Sequence, residues 1–123
     1  MSGGDLAVAV ERCDDLVWAT LRGELDLATV VQLEVELPSP HKGDAVVIDL
    51  RQLDFIDSIG VRAMMQLDVT ARAEDWSLVL AGARGHVKRV LEVCGVHRRI
   101  SMVDDPEEVA SLDRRRDGAG TRK

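Results

Sequence analysis

Aromatic residues are scarce in this sequence, which has no tyrosine and only Phe55, Trp18 and Trp76. The shortage argues against a single-stranded nucleic-acid surface, because such surfaces stack bases on aromatic rings. Basic residues are also the minority, with 16 Lys and Arg against 22 Asp and Glu and a formal net charge of -6. Because phosphate backbones are bound mainly through Lys and Arg, we expect no direct nucleic-acid partner.

Long apolar runs and cysteines are few as well. No run approaches the roughly 20 residues of a membrane-spanning helix, and residues 1–6 lack the regions of a signal peptide. We therefore expect no membrane insertion and a cytoplasmic location. Cys13 and Cys94 match no metal-binding spacing, so we expect neither a metal site nor another cofactor. Cys94 falls on an apolar helical face, which predicts a core position.

Alternating and continuous apolar stretches predict five strands, at residues 6–11, 16–22, 45–50, 76–81 and 100–103. The first two have the pattern of an antiparallel hairpin. The third is almost continuously apolar, which is typical of a strand buried on both faces. A hairpin followed by alternating strands and helices predicts an α/β fold in which helices cover a mixed β-sheet.

Apolar residues at helical spacing predict three helices between these strands, with apolar faces at residues 30–37, 60–71 and 87–94. Thr29 and Gln32 match a capping box at the start of the first helix. A last short helix is expected after Pro106. The chain therefore predicts one domain over residues 1–112, followed by a disordered tail over residues 113–123, which have no apolar face.

One segment, residues 46–60, brings a serine to the start of a predicted helix. A buried strand leads into a loop that places Asp57 and Ser58 at the helix N-terminus. The first N–H groups of a helix have no partners within it, so a phosphate on Ser58 would meet free donors. Nearby Asp54 and Asp57 would repel that phosphate. Asp-Ser is also what helix capping alone selects, and the residues by themselves favour capping over phosphorylation.

Two motifs resemble those of the STAS family, specifically its stand-alone anti-sigma factor antagonists. One is Gly-Glu-Leu-Asp-Leu-Ala-Thr at residues 23–29, at the end of the second predicted strand. The other is the segment 46–60, which ends in Phe-Ile-Asp-Ser-Ile-Gly. The resemblance extends over roughly residues 5–112. It implies a STAS-type mixed sheet with an N-terminal antiparallel hairpin.

The resemblance also implies partner switching. In such proteins the serine after the aspartate, here Ser58, is phosphorylated by an anti-sigma factor that is itself a serine kinase. The unphosphorylated form binds this kinase and frees a sigma factor for transcription, whereas the phosphorylated form does not bind productively. A protein serine phosphatase then restores the hydroxyl. The resemblance implies no catalytic residue in this chain, and it allows a homodimer.

The family pattern implies a partner-binding surface made by two loops, comprising Glu24, Asp26, Thr29, Asp57, Ile59, Gly60 and Arg62. The three carboxylates would contact basic groups on the kinase. The sequence departs from the family pattern at Ile59, where a small hydroxyl residue is common, and at Arg62, where a small residue is common. Ile59 therefore places a large apolar group beside the phosphorylation site.

Two other classes of function stay open. Ile59 favours a non-phosphorylated accessory or scaffold subunit of a transporter or signalling complex. An enzyme is the third class, and its nearest version is a receiver-like phospho-aspartate domain using Asp49, Asp54 or Asp57. That version needs an acidic pair after the first strand and a lysine after the last, and the sequence shows neither. The histidines are interpreted as surface residues: His41, His86 and His97.

Overall fold

The protein is described here by a computed structural model that covers residues 5–109. Its strands are β1 (Leu6–Cys13), β2 (Leu16–Leu25), β3 (Ala45–Ile56), β4 (Ser77–Ala81) and β5 (Ser101–Val103). Its helices are α1 (Val30–Glu36), α2 (Ser58–Glu74) and α3 (Gly85–Val93), followed by a 3₁₀ turn (Val96–Arg98) and by helical residues 106–109. The predicted order of elements is confirmed.

The five strands form one sheet in the order β1-β2-β3-β4-β5. β1 and β2 pair antiparallel, and the remaining neighbours pair parallel. The central strand β3 is buried at every residue from Ala45 to Leu50, as its continuous apolar sequence predicts. The predicted α/β fold, with helices covering a mixed sheet, is therefore confirmed. Within residues 5–109, no helix combines the length and apolar character needed to cross a bilayer.

An aliphatic core lies between one face of the sheet and the helices. Alternate residues of β2 point into it, including Val17 and Leu21, and they meet Met64 of α2 and Leu91 of α3. Burial of one such side chain contributes about 1.5–3 kcal/mol. Because the sequence has only three aromatic residues, Val, Leu, Ile, Ala and Met had to fill this core, and apart from Trp76 they do.

A smaller cluster lies on the opposite face of the sheet. Val109 packs there with Val47 and Ala81, so the helical segment after Pro106 covers part of this face. The rest of the predicted last helix and the predicted tail at 113–123 lie outside the described residues. The domain boundary at residue 112 therefore stays a prediction.

The strand β3 continues beyond its predicted end at Leu50 to Ile56. β4 pairs with it only as far as Asp49, whereas β2 stays paired through Ile56. The second half of β3 consequently has one neighbour and is mostly exposed, with Leu53 and Ile56 as its buried residues. The loop predicted between residue 50 and Ser58 is therefore wrong, because most of this segment belongs to β3.

Cys94 is exposed, so its predicted core position is wrong. α3 ends at Val93, with Cys94 as its C-cap, and Gly95 follows in the left-handed conformation at φ 76°. The chain reverses there, and the fully buried residue that follows is Val96. The apolar spacing in the sequence includes Cys94, whereas the helix itself ends one residue earlier, at Val93.

Candidate docking and phosphorylation site

The two motifs of the predicted site meet because β2 and β3 are parallel neighbours. Leu25 lies opposite Ile56 in the register, after two irregularities in the pairing of β2 with β3. Just beyond, the Asp57 N–H donates to the Leu25 carbonyl oxygen at 3.3 Å. The β2–α1 turn and the start of α2 therefore form one continuous edge of the molecule.

Gly60 permits this close approach of α2 to β2. A Cβ atom at Gly60 would lie 2.7 Å from the Leu25 carbonyl oxygen and 2.6 Å from Ile56 Cγ1. Both distances are shorter than real Cβ contacts allow, so a larger residue would push the helix away from the strand. Gly60 is buried, and it contributes to the predicted docking surface by shaping it.

Asp57 is the N-cap of α2. Its Oδ1 accepts hydrogen bonds from the Ile59 and Gly60 N–H groups, each at 3.0 Å. Its carbonyl oxygen accepts from the Val61 N–H at 3.0 Å. The expectation that a phosphate on Ser58 would meet free donors is therefore wrong for Ile59 and Gly60, because the aspartate already satisfies them.

The β2–α1 turn is held by its own side chains. The Asp26 carboxylate accepts from the N–H groups of Ala28 and Thr29, at 3.0 and 3.2 Å. The Thr29 hydroxyl donates to the Glu24 carbonyl oxygen at 2.8 Å and accepts from the Asp26 N–H at 3.0 Å. Asp26 and Thr29 are buried, whereas Glu24 is half-buried. The side chains of Asp26 and Thr29 therefore define the shape of the turn.

The predicted capping box at α1 does not form. Thr29 occupies the N-cap position, but its hydroxyl bonds within the preceding turn and makes no capping hydrogen bond. The Gln32 amide instead donates to the Leu6 carbonyl oxygen at 2.6 Å. A sequence spacing that suits a local cap is thus used for a bond within the preceding turn and for a longer-range bond to β1.

The remaining predicted site residues face outward to different degrees. Ser58 is the first residue of α2 and is exposed, as is Arg62, whereas Ile59 is half-buried between them in the sequence. Ser58 and Arg62 are four residues apart in the same helix, so their side chains share a face. A negative charge on Ser58 would therefore follow the N-cap aspartate directly and share a helix face with the positively charged Arg62.

An aromatic contact beside this site has no signal in the sequence. The rings of Phe55 and His86 are stacked, with centroids 5.1 Å apart and planes 7° apart. His86 Nε2 also lies 3.3 Å from the Ile56 carbonyl oxygen. The contact attaches the start of α3 to the end of β3, next to Asp57. Because it joins residues about thirty positions apart, only the tertiary structure reveals it.

The three aspartates of the receiver-like hypothesis have separate roles. Burial raises the pKa of Asp49, but hydrogen bonds from Arg51, one of 2.7 Å, outweigh it and hold the pKa below its ordinary value. Asp57 caps α2, and Asp54 is exposed. Over residues 5–109, no group of three or more His, Cys, Asp or Glu side chains is arranged to hold a metal ion.

Comparison with known proteins identifies the family. The family described as Mlab, STAS domain matches residues 9–104. BtrV of Bordetella bronchiseptica, whose name designates it provisionally as an anti-sigma factor antagonist, is 34% identical over 92 residues. That match covers 73% of this chain and 79% of BtrV.

Two solved structures share the fold at low sequence identity. The anti-sigma factor antagonist SpoIIAA in its unphosphorylated form has a TM-score of 0.64 and 22% identity, over 89% of this chain and 98% of that chain. A sulfate transporter family protein from Wolinella succinogenes has a TM-score of 0.69 and 13% identity, over 81% and 85% of the two chains. The predicted family is confirmed: this chain belongs to the STAS domain family.

Proposed function

We propose that this protein is an anti-sigma factor antagonist that binds an anti-sigma factor serine kinase and is switched off by phosphorylation of Ser58. The observation that carries the proposal is the exposed Ser58 at the first position of α2, on the edge where the β2–α1 turn meets that helix. The names of BtrV and SpoIIAA support the antagonist role. In this proposal the chain acts by binding, in the cytoplasm, and its phosphorylation is catalysed by the partner.

The docking surface in this proposal has exposed members and supporting members. Glu24 lies at the end of β2, whereas Asp57, Ile59 and Arg62 are near Ser58 in the sequence, and all four are at least partly accessible. Asp26, Thr29 and Gly60 are buried, and they fix the backbone conformation that positions the four accessible residues. Two accessible carboxylates favour basic groups on the kinase, and Ile59 adds an apolar contact among them.

Phosphorylation would change this surface through charge. A phosphate adds a charge of about -1.5 to -2 beside the Asp57 carboxylate, which already occupies the Ile59 and Gly60 N–H groups. The phosphate therefore either competes with Asp57 for these donors or turns toward Arg62, one helical turn away. Both arrangements alter the surface that the unphosphorylated protein offers to the kinase. A separate protein serine phosphatase would reverse the change.

The test uses purified anti-sigma factor kinases encoded in the same genome, incubated with ATP and this protein. We expect mass spectrometry to find phosphate on Ser58, Ser58→Ala to remain unmodified, and Ser58→Asp to bind the kinase more weakly. Ser101→Ala, at another exposed serine, is the matched control and should behave as the wild type. Absence of phosphate on Ser58, together with unchanged binding by both Ser58 variants, would refute the proposal.

A second candidate function is an accessory or scaffold subunit of a transporter or signalling complex that docks without phosphate. The half-buried Ile59 beside Ser58 favours it, because it adds an apolar contact that needs no charge switch. The shared fold does not discriminate, since it occurs in an anti-sigma factor antagonist and in a sulfate transporter family protein. If Ile59→Glu abolishes partner binding while Ser58→Asp leaves it intact, this second function replaces the first.

A further inference from the structure

An apolar stripe runs along the outer side of α1 and the turn before it. It consists of the residues Leu27, Val31 and Val35, which are 72%, 60% and 76% exposed. Residues four apart lie on the same face of a helix, so Val31 and Val35 are neighbours, and Leu27 precedes them by the same interval. Single exposed apolar residues are ordinary, whereas contiguous ones mark interaction sites.

The stripe is not required by the core of the protein. The opposite side of α1 already packs inward through Leu33, which is 1% exposed, and Leu37 adds to this contact after the helix. A seven-residue helix with one buried side normally turns polar residues to water on the other side. Here both sides carry apolar residues, so a second partner for α1 is expected.

The surroundings of the stripe are acidic. Residues 26–36 contain Asp26, Glu34 and Glu36 and no Lys, Arg or His, and Glu24 lies just before them. Asp26 is buried within the turn, but both glutamates of α1 are exposed. A surface that fits this stripe is therefore apolar and edged by basic side chains.

The stripe is continuous with the proposed docking surface. Leu27 lies in the turn that the Asp26 carboxylate and the Thr29 hydroxyl hold in place. The strand that leads into this turn accepts the hydrogen bond from the Asp57 N–H through Leu25. The stripe thus begins beside the Ser58 edge and leads away from it along α1.

We propose that Leu27, Val31 and Val35 extend the docking surface and bind the same anti-sigma factor kinase, at an apolar patch of that partner edged by Lys and Arg. This inference rests on the proposed function. The stripe carries no group that phosphorylation of Ser58 alters. It therefore sets which kinase is bound, whereas Ser58 sets when it is bound.

The experiment measures the dissociation constant for the kinase that phosphorylates Ser58, by isothermal titration calorimetry. We expect Val31→Glu and Val35→Glu to bind about tenfold more weakly or worse, as for loss of an interface hot spot. Val93→Glu on α3 is the matched control, because Val93 is 79% exposed and lies outside the stripe. Its affinity should equal that of the wild type. Val31→Ala removes the apolar group without adding charge and should give a smaller loss.

Each alternative outcome has a definite meaning, once circular dichroism and thermal unfolding show that the variants are folded. If the Val31 and Val35 variants bind like the wild type while Ser58→Asp binds weakly, the stripe proposal is wrong and the proposed function stands. If these variants change only self-association in sedimentation velocity, the stripe joins copies of this chain, and the proposal is again wrong. If the wild type neither binds nor is phosphorylated by any kinase, the proposed function fails and this inference with it.

Discussion

Gly60 lies against the carbonyl oxygen of Leu25 so closely that a Cβ atom on the glycine would be 2.7 Å from it. This contact joins α2 to the end of β2 and brings together the two motifs of the site through Leu25 and Gly60, which are more than thirty positions apart in the sequence. The position of Ser58 relative to the β2–α1 turn therefore depends on a residue with no side chain.

We expect Gly60→Ala to destabilise the protein by about 1–3 kcal/mol, because the added methyl group meets the buried Ile56 side chain and the Leu25 carbonyl oxygen, a backbone atom that cannot rotate away. This loss should appear even though the helix propensity of alanine, at an exposed interior position, is about 1 kcal/mol more favourable than that of glycine. Urea unfolding measures the free energy. Ala73→Gly, at an exposed position of α2, measures the difference in helix propensity without a steric contact. A Gly60→Ala protein as stable as the wild type would contradict the tight contact.

Asp57→Ala should cost about 0.5–2 kcal/mol of unfolding free energy, because the Ile59 and Gly60 N–H groups lose their acceptor. Asp57→Ser should retain most of the stability, since serine also caps helices. The exposed neighbour Asp54 supplies a control of equal charge, and Asp54→Ala should stay within about 0.5 kcal/mol of the wild type. Equal losses at both positions would show that charge, not capping, is responsible.

Acid should destabilise the protein through Asp44. The hydrogen bond from Arg12, at 2.8 Å, holds the pKa of Asp44 below its ordinary value although burial raises it, and the His41 N–H contributes a second bond at 2.7 Å. A lowered pKa means that the folded state favours the ionised carboxylate. The stabilisation is therefore complete above the ordinary carboxyl pKa of about 3.9 and is lost as the pH falls below it.

The measurement is the free energy of unfolding from pH 7 to pH 3 for the wild type and for Asp44→Asn. We expect Asp44→Asn to be less stable at neutral pH and to lose less stability on acidification. Asp49 shifts in the same direction, so part of the acid dependence should remain in the variant. Glu36→Gln, at an exposed position of α1, is the control. Parallel curves for the wild type and Asp44→Asn would contradict the expectation.

Both cysteines should react with a thiol reagent in the folded protein, because Cys13 and Cys94 are free and exposed. We expect Ellman's reagent to titrate two thiols per chain without denaturant, and one in Cys13→Ala. Cys94→Ala should change the unfolding free energy by no more than about 0.5 kcal/mol. A Cys94 thiol that reacts only after denaturation would restore its predicted core position.

Much of the fold follows from local patterns in the sequence. The alternation in β1 and β2 and the continuous apolar run of β3 predict the strands, because each pattern reflects which faces are buried. The second half of β3 escapes prediction because it pairs on one side only, so most of its residues are exposed and its sequence has no continuous apolar run. Cys94 is misassigned because the apolar helical spacing includes it, whereas α3 ends at Val93 and Cys94 is only the exposed C-cap.

The candidate site divides in the same way. The sequence alone determines that Ser58 follows a capping residue at a helix start, because the N-cap preference of Asp57 is a local property. It does not reveal that Asp57 uses up the Ile59 and Gly60 N–H groups, or that His86 stacks on Phe55. These features depend on side-chain placement and on contacts distant in sequence.

The sequence by itself thus determined the order of strands and helices, the aliphatic core and the two motifs of the site. Only the tertiary structure decided that Asp26 and Thr29 are buried supports, that Ser58 is exposed, and that α1 turns an apolar stripe outward. The physical reason is that periodicity records which faces of an element are apolar. The partner that covers each face is set by strand register and helix packing.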